Sequence, residues 1–230
     1  MFNDSINYLK DSDDAAKTVL IGGVLAIFGF LIIPALIVQG YVIRVLRHVS
    51  AGDSEAPTFG DWGKLTVDGL KAAIITLVYF LVPAILAAVF VGGGVALAND
   101  VPFIGGLVAL LGGLLTLLAT LAVWYVVPAA LVRFAEDGTM GAGFDYESLT
   151  PIVRDREYAT GWLLALGVIV VAGVIVSIVA AVPLIGWLAA VFLGFYAQVT
   201  AAYIYARSYA EATEHQLREG PEVDDRRPAV

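Results

Sequence analysis

The chain has 230 residues, of which 60% are hydrophobic and 15% charged, and carries a formal net charge of -8. Soluble domains average roughly 45–50% and about 25%, so the apolar excess excludes an ordinary water-soluble fold, whose helices need polar outer faces. The acidic balance argues against a nucleic-acid partner, which needs clustered Lys and Arg, and the absence of Cys excludes disulfides, thiolate metal sites and cysteine nucleophiles.

In chain order, a polar N-terminal segment, residues 1–17, lacks the basic start and short apolar core of a cleavable signal. The first apolar run therefore reads as a permanent span. Five spans are expected, at residues 18–43, 72–98, 103–132, 161–181 and 184–206, each free of Asp, Glu, Lys and Arg and each longer than the roughly 18 apolar residues that mark a membrane helix. Together they form one transmembrane domain over residues 18–212, followed by a polar tail, residues 213–230, expected to be disordered after Gly220 and Pro221. The fold class is all-α, a polytopic helical membrane protein with about five transmembrane helices. Pro34, Pro83 and Pro128 are expected to kink or end helices, and the glycine triplet from Gly92 to form a weak point.

Two gaps, at residues 99–102 and 182–183, are short enough to force antiparallel hairpins. Lys and Arg avoid both turns. They gather instead at Arg44, Arg47, Lys64 and Lys71, at Arg133, Arg154 and Arg156, and in the tail from Arg207. Short cytoplasmic loops collect such residues, so the long loops and the C-terminus are assigned to the cytoplasm of a cell (plasma) membrane. Five spans then put the N-terminus outside, despite Lys10 and Lys17; a first segment broken at Pro34 and turned back would return it to the inside.

The stretch "VPFIGGLVALLGG" from Val101 recurs as "VPLIGWLAAVFLG" from Val182. Gly105, Ala109 and Gly113 thereby align with Gly186, Ala190 and Gly194, a stripe of small residues that lets helix backbones approach closely in lipid. On the other side of each hairpin, "FGDWGKL" from Phe59 echoes "FDYESL" from Phe144. The domain thus reads as two parallel helical-hairpin repeats plus a lead helix.

The segment after Asp61 places Trp62, Leu65 and Gly69 at helical spacing, with Asp61, Lys64, Asp68 and Lys71 elsewhere. That pattern suits a helix in the headgroup layer, as a plain anchor or as a docking surface. The candidate contacts with lipid headgroups or a protein partner are Arg44, Arg47, Phe59, Asp61, Trp62, Asp68, Lys71, Phe144 and Tyr146. Arg44 and Arg47 also read as ordinary stop signals, and Gln39 and Gln198 as interhelical hydrogen-bonding groups.

No ionisable group interrupts a span, which lowers the case for an ion-coupled carrier. Glu136, Asp137, Asp145 and Glu147 read as a solvated acidic loop before a cation site, and His48 and His215 lie in different polar segments outside any catalytic motif. No enzyme activity, metal or cofactor is expected.

The stretch from Gly40 to Ile75, with G-Y-x-x-R-x-L-R followed by F-x-D-W-x-x-L-x-x-D-G-L-K, resembles an uncharacterised family of archaeal polytopic membrane proteins, mainly haloarchaeal and catalogued as a domain of unknown function. The resemblance implies a halophilic archaeal cell membrane and supplies no activity. The second unit, "FDYESL", departs from the pattern. The functional expectation is a scaffold or accessory binding protein using its cytoplasmic segments, with membrane lipid and a membrane-protein partner around it. The competing expectation is a homo-oligomer that passes an ion or small solute.

Overall fold

The computed structural model describes residues 2–12 and 14–219. The tail expected to be disordered after Gly220 lies outside the described residues. The chain runs through α1 (Phe2–Lys10), α2 (Ala15–Ile27), α3 (Ile32–Ser50), α4 (Trp62–Leu86), a π-helical segment (Ala87–Gly92), α5 (Gly93–Leu97), α6 (Pro102–Asp137), a 3-10 turn (Met140–Phe144), α7 (Tyr146–Arg154), α8 (Arg156–Ala180) and α9 (Ile185–Glu219). No strand occurs among the described residues. Five helical stretches are long and apolar enough to cross a membrane: Ile32–Ser50, Trp62–Leu97, Pro102–Asp137, Arg156–Ala180 and Ile185–Arg218. The chain is a helical, membrane-embedded protein.

The first apolar run, read from the sequence as one span over residues 18–43, folds as two helices. Its break lies at residues 28–31, where the Leu31 amide donates to the Phe28 carbonyl at 2.8 Å in a tight turn. Pro34 sits in the first turn of α3, where a missing N–H costs nothing. The 13 residues of α2 rise about 20 Å, short of the roughly 30 Å hydrocarbon layer. Gly22 and Gly23 let α2 press against α9, since a Cβ on either would overlap the rings of Phe195 and Phe192. Upstream, the Tyr8 hydroxyl donates to the Glu55 carbonyl at 3.1 Å, and its ring meets that of Tyr203 at 4.8 Å. The N-terminal helix therefore shares one end of the molecule with the α3–α4 loop and the distal half of α9. A single outward-to-inward crossing would have put it at the opposite end.

Beyond α3 the two hairpins appear in the expected order. In the first, α4 continues through Pro83 into the π-helical segment and α5, which meet at the glycine triplet, and α6 returns alongside. Proline opens the helical hydrogen-bond ladder, and the widened turn follows four residues later, while Pro128 is absorbed into α6. In the second, α8 and α9 pair along their length around a turn that holds Leu184 at a φ of 63°.

The two hairpins touch mainly near the long loops, where α3 and α7 lie between them. That loop end holds the core, with Tyr41, Ile43, Leu65, Phe134, Leu149 and Tyr158 fully enclosed. Only 6% of the apolar window of α8 and 11% of that of α6 are buried, against 44% for α3. The outer stretches of the hairpins thus present hydrocarbon on most sides, as lipid-facing helices do.

Candidate functional site at the loop end

The site begins with a backbone contact. Gly40 of α3 lies against the Leu65 carbonyl, and Gly69 of α4 against the Leu36 carbonyl and the Gly40 amide, so a Cβ at either position would overlap main-chain atoms. Beside this crossing the Tyr41 ring stacks on Phe59 at 4.1 Å and 12°. Its hydroxyl donates to the Pro57 carbonyl at 2.9 Å, and Arg44 Nη1 donates to the Thr58 carbonyl at 2.9 Å. These contacts stitch residues 51–61 onto α3. The segment ends at Asp61, whose left-handed backbone, φ 50°, lets its carboxylate accept from the Lys64 amide at 3.2 Å and cap α4.

Arg47 ties three helices. Its Nε donates to the Ala135 carbonyl of α6 at 2.6 Å and its Nη1 to Asp68 of α4 at 3.4 Å. Asp68 is buried, so the pair offsets a desolvation cost that either charge alone would carry. Of the contacts named from the sequence, Arg44, Arg47, Phe59, Asp61 and Asp68 are therefore engaged within the fold. Trp62, 46% exposed, and Tyr146, 63% exposed, face outward. Lys64, Val67 and Leu70 extend the Trp62 surface, with Lys71 half-buried beside them.

The second unit repeats this construction at its own spacing. Phe144 stacks on Tyr79 at 5.5 Å and 18°, and the Tyr79 hydroxyl donates to the Gly143 carbonyl at 2.8 Å. Asp145 caps α7, accepting from the Ser148 amide at 3.3 Å and hydroxyl at 2.6 Å. These Ser148 bonds hold its carboxyl below the usual aspartate range, with Arg133 4.0 Å away adding to the effect. A Phe–Tyr stack followed by an Asp cap thus closes both juxtamembrane segments. Asp137 binds its own neighbour Thr139, and no group of three His, Asp or Glu side chains converges as a metal site among the described residues.

Asp155, unmarked by sequence reasoning, joins α8 to the distal part of α9. Its carboxylate accepts from the Glu157 amide at 2.8 Å and from Gln216 Nε2 at 3.1 Å, with His215 Nδ1 at 2.9 Å. Burial pushes this carboxyl up, but the bonds from His215, Glu157 and Gln216 outweigh it and hold the group below its ordinary value.

At the turn end, Gly105 meets the Ala98 backbone, Ala109 backs onto Gly94, and Gly186 meets the Val179 carbonyl. Ala190 is buried, whereas Gly113 and Gly194 both face open space. The position that closes the first stripe is Gly112, against Phe90. At about 100° per residue, a step of seven returns to the starting face and a step of eight leaves it.

Over residues 26–181, more than half of the chain, the sequence matches the family described as Protein of unknown function (DUF4013). No curated protein and no solved structure matches the chain.

Proposed function

The chain belongs to the family Protein of unknown function (DUF4013), and we propose that it acts as a non-enzymatic membrane scaffold or accessory binding protein, presenting its loop end to a partner. The observation that supports this reading is a division of labour on α4. One face, with Leu65, Asp68 and Gly69, is spent on the fold, while Trp62, Lys64, Val67 and Leu70 stand exposed on a helix fixed by Arg47 and the Gly40 crossing. Tyr146 offers a second exposed aromatic on α7. Rigidly held aromatic side chains with a cationic rim make good protein-contact surfaces. The membrane is the cell membrane of an archaeon living in concentrated salt, as the net charge of -8 supports. The loop end faces the cytoplasm, as its Lys and Arg content supports.

Affinity purification from native membranes in mild detergent tests the reading. Trp62→Ala combined with Tyr146→Ala is expected to abolish recovery of a stoichiometric partner while leaving membrane insertion intact. Undiminished recovery by the double variant contradicts it. A second reading, a homo-oligomer passing a small solute, is favoured by one observation: Gly113 and Gly194, at matching places in the two repeats, face open space where a second copy has room to approach. Self-association with no other protein recovered, together with a measurable solute flux in sealed vesicles, would move the reading there.

A further inference from the structure

A groove of about 450 Å³ lies between α1 and the paired helices α8 and α9. Phe2 and Ile6 of α1, Leu164, Gly167 and Val171 of α8, and Leu193 of α9 line it. We propose that this groove holds one hydrocarbon chain of a bilayer lipid, gripped beneath the N-terminal helix.

The lining chemistry selects the occupant. Tyr196 and Thr200 are the lining side chains with polar atoms, and both are satisfied internally: the Tyr196 hydroxyl donates to the Ile6 carbonyl, and the Thr200 hydroxyl to the Tyr196 carbonyl. A polar solute entering here would give up its hydration and find no partner in return. Hydrocarbon gives up nothing.

The groove opens onto the lipid-facing side of α8, so a lipid chain reaches it without leaving the hydrocarbon layer, whereas a partner's helix would have to displace one. Gly167, exposed between Leu163 and Val171, leaves a gap in the wall of the groove: a Cβ there would meet nothing within 4 Å. Leu163, Val171 and Ile175 along one rim are exposed, on a helix that carries no charge between Thr160 and its end, so the groove opens toward lipid.

The cover is a built feature. α1 is short and amphipathic, with Phe2 and Ile6 on the groove while Asn3, Asn7 and Lys10 are exposed. The Tyr8 bond to the Glu55 carbonyl, the Tyr8–Tyr203 contact and the Tyr196 bond to Ile6 hold it in place. Among the described residues the first hairpin, built from the same repeat, carries no such short amphipathic helix across it, and it serves as an internal control. The inference stands apart from the scaffold reading, because it concerns neither Trp62 nor Tyr146.

Native mass spectrometry of the full chain, released from mild detergent micelles after refeeding with phosphatidylglycerol, tests it. The wild type is expected to retain one lipid per chain. Gly167→Phe puts a ring into the gap in the wall, and because a chain kept off the lining forfeits its packing contacts, its lipid-bound fraction should fall about tenfold. Ala172→Phe fills the groove from a different position and decides the matter if the first variant misfolds by circular dichroism. Gly113→Phe, which adds the same bulk to the first hairpin, should retain lipid as the wild type does. Equal lipid retention in the folded filling variants, or no lipid on the wild type, overturns the proposal. So does loss of a bound protein instead of a lipid, which would assign the groove to a partner.

Discussion

The loop end and the turn end of this molecule are held together by different physics. At the loop end, aromatic rings, charges and caps are matched to named backbone atoms: Tyr41 to Pro57, Arg44 to Thr58, Arg47 to Ala135, Tyr79 to Gly143. At the turn end, helices meet through missing side chains, Gly94, Gly105 and Gly112 in one hairpin and Gly186 in the other. Lipid gives no hydrophobic reward for helix association, so close approach has to supply the attraction there. Near water, the same chain uses directional bonds and enclosed rings. Gly40 and Gly69 are where the two strategies meet, since a lipid-type backbone crossing sits inside the polar clasp.

The largest expected effect follows from that crossing. Gly40→Leu drives a side chain into the Leu65 carbonyl, which cannot rotate away, and should cost about 3 kcal/mol or more, seen as a collapse of thermal stability in detergent. Next comes Asp68→Ala, which leaves Arg47 without its carboxylate. Removing one partner of a fully buried pair costs about 3–5 kcal/mol; because Arg47 keeps the Ala135 carbonyl and its side chain is 29% exposed, about 2 kcal/mol is expected here. Arg47→Met added to Asp68→Ala should recover part of that loss, a result that separates ion pairing from packing.

A smaller effect is set by pH. The folded-state pKa of Asp155 lies below its ordinary value, so its contribution is complete above the unfolded aspartate pKa of about 4 and fades as pH falls through the lower folded value. Wild-type stability should therefore drop in that acid window, and Asp155→Asn, weaker at neutral pH, should lose that part of the dependence. The smallest effect belongs to the turn end. Gly113→Leu and Gly194→Leu add bulk to open space and should change stability by no more than about 0.5 kcal/mol, whereas Gly105→Leu, against the Ala98 backbone, should cost about 2 kcal/mol. Equal effects at Gly105 and Gly113 would break the distinction between inward and outward small residues.

The helical hairpins were legible because charge-free runs and the repeated turn are local signals. The break at residues 28–31 was half legible: Pro34 flagged a weak first segment, but its position depends on the fit of α2 against Phe192 and Phe195. Gly112 was obscured because matching the repeats favoured a step of eight, while helix geometry favours seven. The clasp was the least legible part. Gly40 and Gly69 read as ordinary positions until the helices cross, although a glycine in an otherwise good helix former such as "VDGLKAA" is itself a signal, since alanine would favour the helix by about 1 kcal/mol. Asp155 pairs with residues 60 positions away, and nothing in its immediate sequence announces that.

The N-terminal helix, both long loops and the distal half of α9 gather at one end of the molecule. Because the chain contains no Cys, single cysteines at the exposed positions Asn7, Asp100 and Glu147 can be labelled with a membrane-impermeant maleimide in sealed vesicles of known orientation. Asn7 and Glu147 are expected to react from the same side and Asp100 from the other. Labelling of Asn7 together with Asp100 would make the first apolar run a simple crossing and contradict the account.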